Sequence, residues 1–147
     1  MITLYTIGFT QKSAESFFNI LRSHQVKRLV DVRISNSSQL AGFAKGSDLA
    51  FFVKEICHIP YDHIVDFAPT KELLERWRKQ EILWAEYEEV YKGLLDRRDI
   101  LKKYGVSRFD GACFLCSEAV PEHCHRRLLA EYMKAHSADE VKIVHLV

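Results

Sequence analysis

Long hydrophobic runs are missing from this 147-residue chain. None approaches the ~20 apolar residues that a membrane-spanning helix needs. The opening MITLYTIGF has neither a basic n-region nor a small-residue cleavage site, which speaks against a signal peptide and for a cytoplasmic protein. An excess of charge of one sign is missing too. The 21 basic and 20 acidic side chains leave a net +1, so the balance supplies no drive towards nucleic acid or an acidic membrane. With only 6 Gly and 3 Pro, and no repeat or low-complexity tract, nothing divides the chain, so one domain over 1–147 is expected. Cysteine is sparse: Cys57, Cys113, Cys116 and Cys124. Without a secretion signal they read as free thiols, and no disulfide is expected.

What is present is ordinary for a globular protein. A 48% hydrophobic and 28% charged composition is enough to bury a core. ITLYTIG reads as a strand bounded by Gly8, and Ser13 opens a helix with the apolar stripe Phe17, Phe18, Leu21. VKRLVDVR is a second strand, and ISNSSQLAGFAKGS a loop. Leu49–Cys57 has helical spacing, a short strand follows Pro60, and Thr70–Lys79 and Leu83–Tyr104 are helical. Ala112–Cys116 reads as a buried strand, Pro121–His136 as a helix and EVKIVHLV as a last strand. Strands alternating with helices predict an α/β fold: a mostly parallel sheet with helices on both faces, a Rossmann-like three-layer sandwich.

In such sheets ligands bind beyond the carboxyl ends of the strands. The residues there are Thr6 and Gly8 after the first strand, Asp31 and Arg33 after the second, and Tyr61 and His63 in the third region. After the fourth come Cys116 and Glu118, then Cys124, His125 and Arg126. CSEAVPEHCHRR, 116–127, is odd for a helix start, because the first turn ordinarily favours acidic groups. Such a turn suits a negative partner, either an internal carboxylate or an incoming anion. At helical spacing His125 falls on the face of Leu128, Leu129, Tyr132 and Met133, with Cys124 and Arg126 on its flanks and Arg127 pointing away.

Three chemistries can be tested on spacing. A thiol phosphatase or rhodanese-like loop needs Arg six residues after its Cys, but Ala130 and Glu122 stand there. Zinc through Cys113 and Cys116 fails because residues three apart on a strand point to opposite faces, so no metal and no cofactor is expected. General acid–base work remains, with Glu118, His125 and Asp31 handling protons and Arg33 and Arg126 holding an anion.

These residues resemble a family known only as domain of unknown function 488. The match lies in Thr6-Ile7-Gly8, Asp31-Val32-Arg33 with Ser38, Tyr61 and His63, Cys116-Ser117-Glu118, and Cys124-His125-Arg126. The chain departs from that pattern at Phe9-Thr10, Asn36 and Phe67-Ala68-Pro69. The resemblance implies an α/β fold and a shared polar edge, with Ser38 joining the ligand-binding set, but it brings no reaction or substrate. The expectation is a pocket that binds, and as an enzyme would process, an anionic phosphate-bearing or nucleotide-like small molecule. Cys116 and Cys124 would line it, a nucleophilic role for either being the lesser option. The alternative is a non-catalytic module for nucleic acid or protein, for which Lys71–Lys79 and Arg97–Lys103 supply only scattered basic charge. Oligomeric state is left open.

Overall fold

Strands that are apolar on both faces belong in the middle of a parallel sheet, where helices cover each side. The computed structural model, which describes residues 1–37 and 42–147, follows that rule. Its five strands are β1 (Ile2–Gly8), β2 (Arg28–Asp31), β3 (Tyr61–His63), β4 (Ala112–Cys116) and β5 (Val141–Leu146). They lie in the order β3-β2-β4-β1-β5, with every neighbouring pair parallel. The central β4, ACFLC, is buried throughout.

Two cores sandwich this sheet. α1 (Ala14–Ser23) and α2 (Gly46–Phe52), the latter continued by a wide helical turn at Val53–Cys57, cover one face. Phe17, Phe18, Leu21, Leu49 and Val53 pack there on Ile7, Leu29, Cys113 and Leu115. α3 (Lys71–Arg78), α4 (Trp84–Arg97), α5 (Ile100–Tyr104) and α6 (His125–His136) cover the other. Tyr87, Tyr91, Leu128 and Leu129 meet Leu4, Val30, Phe114 and Cys116 on that side. Fully burying a side chain the size of Phe114 or Leu115 contributes about 1.5–3 kcal/mol, so a one-residue slip of β4 would exchange these faces at heavy cost. Parity therefore aims Cys116 at α6 and Cys113 at the opposite core. No helix among the described residues is long and apolar enough to cross a membrane.

β1 and β2 send their connections over the α1/α2 face, whereas β4, lying between them, sends its connection over the α6 face. Where neighbouring connections part to opposite faces, a crevice opens at the carboxyl ends of the strands. The end of β4, at Cys116, stands in that crevice.

Local chemistry sets the helix ends. Ser13 Oγ accepts from Ser16 N (3.1 Å) to cap α1, and Thr70 Oγ1 accepts from Leu73 N (3.1 Å) to cap α3. The second strand is shorter than VKRLVDVR, at Arg28–Asp31, and three helix boundaries differ from the sequence expectation. Leu83–Tyr104 is two helices, because Asp99 is left-handed (φ 52°) and Arg98 Nη1 is drawn aside onto the Asp66 and Ala68 carbonyls. α2 begins at Gly46 rather than Leu49, its Gly46 N–H bonded to Asn36 O (2.6 Å). The final helix begins at His125 rather than Pro121. Cys124 is extended (φ −140°, ψ 138°), and Arg127 folds back to donate to Pro121 O (3.3 Å) and Glu122 O (2.9 Å). Residues 117–124 thus form a loop across the sheet edge, with Arg127 pinning its last stretch rather than facing solvent idly.

Candidate active site

Asp31, the last residue of β2, and Arg33, two residues beyond it, close on each other. Asp31 Oδ1 accepts from Arg33 Nε (2.9 Å) and Arg33 N (3.1 Å), and Oδ2 accepts from Arg33 Nη2 (2.7 Å). Tyr61 also donates to Oδ2 (2.5 Å) and accepts from Asn36 Nδ2 (3.2 Å). Burial, reinforced by the Asp31 carboxylate, pushes the Tyr61 phenol above its ordinary range. Asp31, wholly buried with its oxygens engaged, positions Arg33 and is not free for proton transfer. His63 Nε2 donates to Arg33 O (2.6 Å), steadying the same turn from behind. One group is left over. Arg33 Nη1 is buried with no partner among the described residues, and Phe9 lies 5.1 Å from the guanidinium carbon.

The end of β4 carries the thiols. Parity turns Cys116 towards the first turn of α6, where His125 Nδ1 stands 3.7 Å from its sulfur. His125 Nε2 donates to Val32 O (2.7 Å), which fixes the ring and leaves Nδ1 facing Cys116. Cys124 is the third member: the two sulfurs and the His125 nitrogen all lie within 4.8 Å of one another, and all three residues are buried. The adjacent Cys124 thiol, helped by His125 and Arg126, holds the Cys116 thiol well below its usual range against the opposing effect of burial. Burial and the neighbouring Cys116 push Cys124 the other way. Burial alone would discharge His125, but the Cys116 sulfur carries its proton affinity above the ordinary imidazole range. These opposite directions make Cys116 the more acidic of the two thiols, with His125 as its neighbour. Two sulfurs and a nitrogen at this spacing are also donors that can hold a thiophilic metal ion.

Arg126 lies beneath this cluster rather than on a flank of α6. It is the largest fully buried side chain, its Nη1 donates to Glu118 O (2.7 Å), and Nε and Nη2 find no partner among the described residues. Gly8 explains how the loop passes so close. Gly8 pairs with Cys116 across β1 and β4, and a Cβ on it would lie 2.6 Å from the Glu118 carbonyl carbon and 3.1 Å from Arg126 Nη1. Thr10 holds the same loop, its N–H donating to Ser117 O (3.1 Å).

A cavity of about 230 Å³ opens between these groups. Arg33, Cys116, Cys124 and His125 form its polar side, and Glu118 stands at its edge with an exposed side chain. Phe9, Trp77, Tyr87 and His123 form an aromatic side. That wall is self-supporting: Trp84 stacks on Tyr87 (4.7 Å, 14°), and His123 packs on Trp84 (4.9 Å) and Trp77 (5.5 Å).

Five of the sequence candidates, Arg33, Cys116, Glu118, Cys124 and His125, therefore line one cavity. Asp31, Tyr61, His63, Gly8 and Arg126 brace it from behind. Thr6 is turned away, its Oγ1 bonded to His145 Nδ1 (2.6 Å). Ser38 lies outside the described residues. Sequence reasoning missed Trp77 and Tyr87, whose helical spacing marks them only as core residues of α3 and α4. The sequence held no signal for them, because which sheet face the β3–β4 connection covers is settled by packing.

A family model described as Domain of unknown function DUF488 matches residues 13–133, a span that holds every cavity residue except Phe9. No curated protein and no solved structure matches the chain.

Proposed function

The chain belongs to the DUF488 family, and because that family's description carries no activity, we propose a function from the cavity itself: binding of a small anion with a planar apolar part, and attack on it by the Cys116 thiolate. The Cys116–His125 pair carries this reading. A thiolate next to an imidazolium is a nucleophile beside its proton partner, and it fits better than acid–base work by Glu118, whose side chain is exposed, or Asp31, which is engaged. The unpartnered Arg33 Nη1 supports an anionic ligand, since a buried guanidinium N–H without an acceptor is costly until one arrives. Trp77, Tyr87 and Phe9 support a flat apolar portion. His125 holds the proton during attack and returns it to the leaving group.

The test is alkylation. Iodoacetate and iodoacetamide are applied separately at pH 7, and each cysteine is followed by peptide mass. Cys116 should react about tenfold or more faster than Cys57, whose thiol burial pushes up. It should also favour the carboxylate reagent relative to Cys57, because Arg33 waits beside it. His125→Gln should move the pH midpoint of Cys116 alkylation upward. If Cys116 reacts no faster than Cys57, or its pH profile ignores His125, the reading fails.

A further inference from the structure

The thiolate accounts for one sulfur, but the cavity holds two. Cys124 sits at the end of the 117–124 loop, outside the first turn of α6, with its backbone extended. Its sulfur lies within 4.8 Å of Cys116 Sγ, and a disulfide needs ~2.05 Å, so closure takes at most about 2.8 Å of movement. Rotation about the Cys side chains and a shift of a loop end can supply that. Nothing of the kind is available to Cys113, which lies in the opposite core.

The charges favour a single thiolate beside a neutral thiol. Arg126 is fully buried under the pair, with the Glu118 carbonyl as its one hydrogen-bond acceptor among the described residues. His125 Nδ1, 3.7 Å from the Cys116 sulfur, makes Cys116 rather than Cys124 the member of the pair that has a ring nitrogen for its proton.

We infer that Cys116 and Cys124 form a redox-active dithiol that reduces small hydroperoxides reaching the cavity. This rests on the proposed reactivity of Cys116 and extends it to a second residue and a second substrate class. The Cys116 thiolate attacks one oxygen of the peroxide, an S–O bond forms and the O–O bond breaks. The departing hydroxide, or alkoxide from an alkyl hydroperoxide, takes the His125 proton and leaves as water or alcohol, so the sulfur is oxidised by two electrons to a sulfenic acid and the peroxide is reduced. The Cys124 sulfur then attacks the sulfenic sulfur, the S–O bond breaks, and the hydroxide released takes the Cys124 proton to form a second water. The product is a Cys116–Cys124 disulfide. An external dithiol returns it to the starting state.

The wall makes the step visible. His123 precedes Cys124 and packs on Trp84 and Trp77, so drawing Cys124 inward changes the surroundings of both indoles.

The test is hydrogen peroxide added to the full chain, with intact mass, peptide mapping and tryptophan fluorescence followed together. Wild type should lose two hydrogens, link Cys116 to Cys124, change fluorescence, and recover fully with dithiothreitol. Cys124→Ser should stop at one added oxygen on Cys116, trappable by dimedone, with no fluorescence change. Cys124→Ala serves the same purpose should the serine disturb folding. Cys116→Ser should leave Cys124 unoxidised at the same dose. If wild-type Cys116 gains oxygens without ever linking to Cys124, while iodoacetate still labels it quickly, the dithiol inference is overturned and the nucleophile reading survives. If Cys116 resists both peroxide and iodoacetate, both fall. A disulfide scattered over Cys57 or Cys113 also overturns the inference.

Discussion

Adding one methyl group to Gly8 should damage the site without touching a cavity side chain. The Cβ of Gly8→Ala would overlap the Glu118 carbonyl oxygen and stand 2.6 Å from its carbon, where carbon atoms ordinarily keep ~3.5–4.0 Å apart. The obstacle is backbone, so the loop must retreat by about an ångström or more. Overpacking of that kind costs roughly 1–3 kcal/mol. Retreat also breaks the 2.7 Å bond from Arg126 Nη1 to Glu118 O, leaving Arg126 buried without an acceptor. A hydrogen bond to a charged group contributes roughly 1.5–3 kcal/mol. Together the loss is about 2.5–6 kcal/mol, a drop in Tm of roughly 5–25 °C for a chain this long. Urea unfolding of Gly8→Ala measures it, with Gly93→Ala as the control. Gly93 lies inside α4 and its Cβ would meet only Arg97 Nη1 at 3.4 Å, so that variant should gain about 0.5–1 kcal/mol. Cys116 alkylation should slow in Gly8→Ala, since the loop carries Cys124. A Gly8→Ala protein within about 1 kcal/mol of wild type would refute the proposed packing of the loop on β1.

Two further outcomes follow from buried ionisable groups. Asp31→Asn removes the charge that pairs Arg33, and breaking such a buried pair costs about 3–5 kcal/mol, whereas Tyr61→Phe should cost nearer 1.5–3 kcal/mol. Urea midpoints in the reverse order would show that Tyr61, not Arg33, is the main partner of Asp31. Burial raises the folded pKa of the Cys113 thiol, so its contribution is complete below the unfolded value of ~8.5 and is lost as pH rises towards the folded one. Between those two values, wild type should lose stability about 1.4 kcal/mol per pH unit more steeply than Cys113→Ala. Parallel pH profiles would mean that Cys113 ionises freely.

Fold class was legible in the sequence because periodicity records burial. Runs such as ACFLC need cover on both sides, and strands alternating with helices favour a parallel sheet. The same parity already separated Cys113 from Cys116. Helix boundaries were less legible, since Pro121 is an acceptable first helical residue and only Arg127 reaching back to the loop carbonyls postpones α6 to His125. The candidate site was half legible. Cys116, Cys124, His125 and Arg33 could be placed at strand ends by local pattern, but pattern says nothing of which partner each side chain meets. Asp31 turned to Arg33 because Tyr61, thirty residues on, completes its shell from the neighbouring strand. Arg126 is buried because Gly8, far away in sequence, lets Glu118 come close enough to accept from it. Trp77 and Tyr87 became a wall only when α3 and α4 packed on the face that α6 shares. Local sequence determines which residues can face the crevice, through helix and strand periods of a few residues. Which of them remain unpartnered there, and so available for chemistry, depends on contacts between distant segments that tertiary packing alone brings together.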